Sequence, residues 1–102
     1  MSKVTTSAWA IPDYQTLMLP FLRLLADGSE HTLFEVTESL AVEFNLTEAE
    51  RNQLLPSGHQ EIMHNRVGWA RTYLKKASLI LYIVNLGICS VIEHQKFHIL
   101  NI

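Results

Sequence analysis

One cysteine, three prolines and four glycines in 102 residues give this chain few covalent or conformational braces. The lone Cys89 excludes an intramolecular disulfide framework. Lying among Ile88, Ser90, Val91 and Ile92, it reads as a buried filler kept in a reducing compartment. The N-terminus, MSKVTTSAWAIPDY, lacks the apolar run of a signal peptide. The most apolar stretch, residues 79–92, is too short to span a bilayer and has Asn85 and Gly87 in its middle. These absences point to a cytoplasmic protein with no membrane association. Asp is also missing after Asp27. What is plentiful is apolar surface: hydrophobic residues make up 48% and charged residues 18%, a globular composition. The length suits one small domain, residues 12–102, preceded by an N-terminal arm, residues 1–11.

The net charge of −2 hides a polarity. Residues 1–61 hold three basic and nine acidic residues, whereas residues 62–102 hold five basic and one acidic. Four of the eight Lys and Arg residues fall within NRVGWARTYLKKA, residues 65–77. Local fields of this kind, rather than the net charge, steer a charged ligand.

Along the chain, Pro12 opens a helix to about Ala26, with Leu17, Phe21, Leu24 and Leu25 on one face. Pro20 removes a hydrogen bond inside it, which predicts a kink or restart, and Gly28 ends it in the C′ position. Ser29–His31 reads as a short edge strand. Thr32 with Glu35 is a capping box for a second helix carrying Leu33, Val36, Leu40 and Phe44. Thr47 with Glu50 repeats that signature for a short third helix ending near Leu55. After a turn at Pro56-Ser57-Gly58, a fourth helix runs from His59 or Gln60 to Ala77 and buries Ile62, Val67, Ala70, Leu74 and Ala77. The β-branched run LILYIVNLGICSVI, interrupted by Asn85-Leu86-Gly87, is a β-hairpin. The tail IEHQKFHILNI extends the strand or adds a helical turn.

Helix, short strand, helix, helix and β-hairpin wing is the order of a winged helix-turn-helix, an α+β, mainly helical fold. In it the helix before the hairpin enters the major groove. The basic stretch occupies that position. PDYQTLMLP (12–20), LLADG (24–28), LTEAER (46–51), LLPSG (54–58) and NRVGWARTYLKKA resemble the N-terminal domain of Mrr-type restriction endonucleases, over roughly residues 11–80. The resemblance implies a winged helix that recognises double-stranded DNA, with a preference in the family for modified DNA. Cutting there belongs to a separate C-terminal PD-(D/E)xK nuclease domain that needs Mg²⁺. The family usually has Gly after KKA and a basic wing. Here Ser78 and the uncharged Ile83-Val84-Asn85-Leu86-Gly87 stand instead, which takes away the basis for a wing-to-phosphate contact. The chain also stops where the family's linker and nuclease would begin.

Arg66, Arg71, Lys75 and Lys76 are the candidate phosphate contacts. A solvated helix end with cations near its C-terminus would account for Lys75 and Lys76 but less well for the two arginines. Asn65 and Thr72 are candidate base-edge readers, Asn65 having a local hydrogen bond as its competing role. Trp69 and Tyr73 could stack on a flipped base, although core packing is the better reading of Tyr73. Gly68, costly inside a helix, would permit close approach of a backbone or a phosphate. The pairs His94/His98 and His59/His64 lack Cys or carboxylate partners at ligand spacing, so no metal site is expected. No paired carboxylate precedes a Glu-x-Lys strand; Glu93-His94-Gln95-Lys96 is the nearest approach. The chain is therefore expected to have no catalytic residues, no cofactor and no enzymatic activity, unless a separate nuclease domain is fused to it or associates with it. Two functions remain: a DNA-recognition module of an Mrr-like restriction system, or a protein-interaction module. The second would use the apolar hairpin residues Tyr82, Ile83, Val84 and Leu86, which also offer a homodimer contact.

Overall fold

The computed structural model describes residues 10–92. Three longer helices, one short helix and a small sheet follow in the order α1 (Tyr14–Leu25), β1 (His31–Thr32), α2 (Leu33–Glu43), α3 (Glu48–Arg51), α4 (Ile62–Lys76), β2 (Ile80–Ile83) and β3 (Ile88–Val91). The sheet is antiparallel with strand order β1-β3-β2. A mainly helical α+β fold with a terminal hairpin, like a winged helix, is thus what the sequence order implied. The C-terminal tail and most of the N-terminal arm lie outside the described residues. Ile11, assigned above to the arm, is buried in the core, so the packed unit begins at least there.

Side-chain caps set three helix starts. Asp13 accepts from the Thr16 N–H at 2.8 Å, which places the start of α1 two residues after Pro12. Both expected capping boxes form. Thr32 and Glu35 exchange bonds of 3.0 Å, and Thr47 and Glu50 exchange bonds of 2.8 and 3.1 Å. The helix α1 continues through Pro20 with no break in its assignment. Its C-cap is Ala26, so Gly28, at φ +83°, sits one residue beyond the expected C′ position.

The other ends are set at longer range. The helix α3 stops at Arg51, short of Leu55, because Leu54 bridges to Glu61 and the Gln53 carbonyl accepts from Ile62 N–H at 2.8 Å. These bonds close the Pro56-Ser57-Gly58 turn and delay α4 to Ile62, later than the sequence suggested. At its other end Ser78 N–H donates to the Lys75 carbonyl and Leu79 N–H to the Leu74 carbonyl, both at 3.0 Å. This Schellman closure requires a left-handed residue, and Ser78 takes it at φ +61°. The chain turns away there, leaving Ala77 exposed rather than buried as its spacing predicted.

The core joins Leu17, Phe21 and Leu25 of α1 to Val36 and Leu40 of α2, Met63, Val67, Ala70 and Leu74 of α4, and Ile80, Cys89 and Val91 of the sheet. Burial pushes the Cys89 thiol pKa up to about 11, consistent with an unreactive filler. The wing is tied down by Leu33 N–H donating to the Gly87 carbonyl at 2.8 Å.

Candidate nucleic-acid interface

With Met63, Val67, Ala70 and Leu74 turned inward, helical geometry sends Asn65, Gly68, Thr72 and Lys76 outward. Arg71 and Lys75 flank that face on the wing side. There they border a hollow of about 380 Å³ with Thr72, Lys76, Tyr82 and Val84. Arg66, Trp69 and Tyr73 flank it on the α1 side, around a cleft of about 340 Å³ with Asp13, Tyr14 and Asn65. A third hollow, about 320 Å³, lies between the first two and brings together Gln60, Asn65, Gly68, Trp69, Arg71 and Thr72. All eight candidate residues of α4 therefore border one or more of three adjoining depressions.

Individual residues differ from expectation. The Arg66 guanidinium turns back onto the chain, donating to the Ile11 carbonyl at 2.6 Å and, more weakly, to that of Pro12 at 3.5 Å. It is a partly buried clamp on the segment leading into α1, which removes the reason to count it among phosphate contacts. Tyr73 is not core: it is 39% exposed and stacks on Tyr14, with ring centroids 4.9 Å apart. Among the described residues a Cβ built on Gly68 would meet nothing within 4 Å, so no described backbone approaches it closely. The helix surface is simply open there.

The polar readers are engaged locally. The Asn65 amide donates to the Gln60 side-chain oxygen, Oε1, at 3.2 Å, and the Thr72 hydroxyl donates to the Gly68 main-chain carbonyl at 3.0 Å. The Asn65 side-chain oxygen accepts from no donor among the described residues, and the Thr72 oxygen accepts only a 3.5 Å contact from Arg71, so each has room for a ligand donor. Arg71 lies 4.5 Å above the Tyr82 ring, a cation–π contact that fixes its guanidinium beside the wing. Lys75 and Lys76 are exposed, and among the described residues Arg66, Arg71, Lys75 and Lys76 form no salt bridge. Those that do form join Arg51 to Glu38 and His31 to Asp27.

Of the hairpin residues, Ile83, Val84 and Leu86 are exposed. Tyr82 is instead packed against the core beneath Arg71, because alternation along β2 turns it inward. The same alternation exposes Leu81, which sequence reasoning passed over. Also missed were Gln60 and Tyr14, each brought to α4 by tertiary contacts that no local pattern reports. A larger hollow, about 630 Å³, lies elsewhere, between α2, α3 and the start of α4. Its rim of Glu38, Glu48 and Glu61 suits no polyanion. Among the described residues no three His, Cys, Asp or Glu side chains gather to hold a metal ion, and no helix is long and apolar enough to cross a membrane. His94 and His98 lie outside those residues.

A family model described as the Mrr N-terminal domain matches residues 14–85. No curated protein and no solved structure matches the chain.

Proposed function

The chain belongs to the Mrr N-terminal domain family, and from that premise we propose that it is a recognition module for double-stranded DNA that uses α4 as its reading helix. One observation carries the proposal. Arg71, Lys75 and Lys76 sit together beside the wing, without carboxylate partners among the described residues, along a helix whose outward face is open at Gly68. Paired cations would have to give up their partners before meeting phosphates; these need not. Asn65, Thr72 and Trp69 then face the bases, and Arg66 holds the platform. Where such a module serves an Mrr-type endonuclease, it contributes position and selectivity while a separate domain performs the cleavage.

Duplex binding measured against salt concentration tests this. Three phosphate contacts should give a log affinity falling with log salt at a slope of roughly −3. Methylated and unmethylated duplexes compared side by side would show whether modification matters. Affinity indifferent to salt would remove the electrostatic basis of the reading.

A second reading is supported by the wing itself. Val84 is 68% exposed and Leu86 64%, at a hairpin tip without a charged side chain. Such a patch fits a protein contact, including one with a second copy of the chain. A dimerising wing and a DNA-reading helix are compatible.

A further inference from the structure

Three aromatic rings meet on the α1 side of α4, and the fold does not need them all there. Tyr14 stacks on Tyr73 at 4.9 Å with planes 15° apart, and Trp69 lies 6.2 Å from Tyr73, tilted by 33°. The inward stripe of α4 is complete without Trp69, whose side chain is left 51% exposed. Together the rings line the 340 Å³ cleft.

The cluster is held in place. Arg66 clamps the main chain at Ile11, Asp13 caps α1, and Tyr14, the first residue of that helix, is thereby set against Tyr73. Loss of water around the phenol, and then contact with Tyr73, raise the Tyr14 pKa above its usual value. The charge around the rings selects the occupant. Asp13 and Arg66 both border the cleft and offset each other, while Lys76 stands 5.9 Å from the Tyr73 centroid, which leaves the balance positive. A base on an anionic strand suits both features: its π-face stacks on the rings while a neighbouring phosphate meets Lys76. Asn65 borders this cleft and the adjoining one, so its amide can meet the edge of a base entering from the Gly68 side.

We propose that the cleft between Tyr14, Trp69 and Tyr73 takes one unpaired nucleobase, stacked beside Trp69 with Asn65 at its edge. This assigns a subsite within the DNA-binding reading above and rests on it. The base could be extruded from a duplex or belong to a single strand.

The test uses Trp9→Phe, which leaves Trp69 as the only tryptophan. Four labelled probes are titrated: a short single strand, an abasic strand of equal length, a matched duplex and a duplex with one mismatch. Anisotropy reports binding and Trp69 fluorescence reports stacking. The single strand should quench Trp69 and bind more tightly than the abasic strand, which should bind without quenching. Trp69→Ala should weaken single-strand binding roughly 5- to 150-fold and leave abasic binding unchanged. Quenching by the mismatched duplex points to an extruded base; quenching by the single strand alone points to strands already open. Equal affinity for abasic and base-bearing strands, or no effect of Trp69→Ala, overturns the proposal. If the matched duplex binds with the expected salt slope but neither the single strand nor the mismatched duplex quenches Trp69, the subsite fails and the duplex reading stands. If the single strand quenches Trp69 but no duplex binds, the duplex reading fails and the cleft stands. If nothing binds, both fail.

Discussion

Arg66 and Lys75 are both cations of α4, yet they do different work. The Arg66 guanidinium donates to a main-chain carbonyl 55 residues away, whereas Lys75 extends into solvent. Loss of a partly buried, charged hydrogen bond costs about 1.5 to 3 kcal/mol, while truncating an exposed side chain usually changes stability by less than about 0.5 kcal/mol. We therefore expect Arg66→Ala to lower the urea midpoint, with Lys75→Ala leaving it in place but weakening DNA binding. Equal stability of the two variants would show that the clamp contributes nothing. Asp27 gives a pH-dependent counterpart. Its carboxylate accepts from Ser29 N–H at 2.9 Å and pairs with His31 at 3.0 Å, which together pull its pKa from 3.8 to about 2. Because the folded value is the lower one, this contribution is fully present above pH 4 and is lost as pH falls toward 2. The stability gap between wild type and Asp27→Asn should close within that window. A gap unchanged down to pH 2 in urea titrations would contradict the assignment.

Whether an element could be read from the sequence depended on how near its determinants lie. Both capping boxes were legible because donor and acceptor are three residues apart. The hairpin and the basic helix showed through β-branching and charge. The start of α4 did not, since Glu61 provides no side-chain cap and the Leu54–Glu61 bridge sets the boundary instead. The aromatic cleft was half legible: Trp69 and Tyr73 stood out, but Tyr14 reaches them from the far end of the fold's sequence order. Ser78 is a legible departure whose meaning only the backbone supplies. The Mrr resemblance leads one to expect Gly at this position, and at φ +61° a side chain is disfavoured. Ser78→Gly should accordingly raise stability by about 0.5 to 1 kcal/mol, read as a higher thermal midpoint. A destabilised variant would mean that the serine side chain offsets the strain.

The molecule carries nine of its ten acidic residues before α4 and half of its eight basic ones within it, while the wing carries no charge. That division leaves the hairpin free for a different kind of contact. Among the described residues β2 is an outer strand of the sheet, and its sequence Ile80-Leu81-Tyr82-Ile83 has no charge or proline to guard the edge. Leu81 and Ile83 are exposed on one face of it, and Val84 and Leu86 continue the apolar surface at the tip. Burying one such aliphatic side chain is worth about 1.5 to 3 kcal/mol, so a two-fold pair of wings could offset much of the entropy of association. A closed dimer of this kind would hold two α4 helices at a fixed separation and favour DNA carrying inverted half-sites. We expect sedimentation to show a dimer at high micromolar concentration. Replacing both Val84→Lys and Leu86→Lys should give a folded monomer, since neither side chain belongs to the core. A wild-type chain that stays monomeric in that range would leave the wing without a self-contact. The α4 surface would then have to engage DNA as a single copy, with a salt slope set by its own three cations.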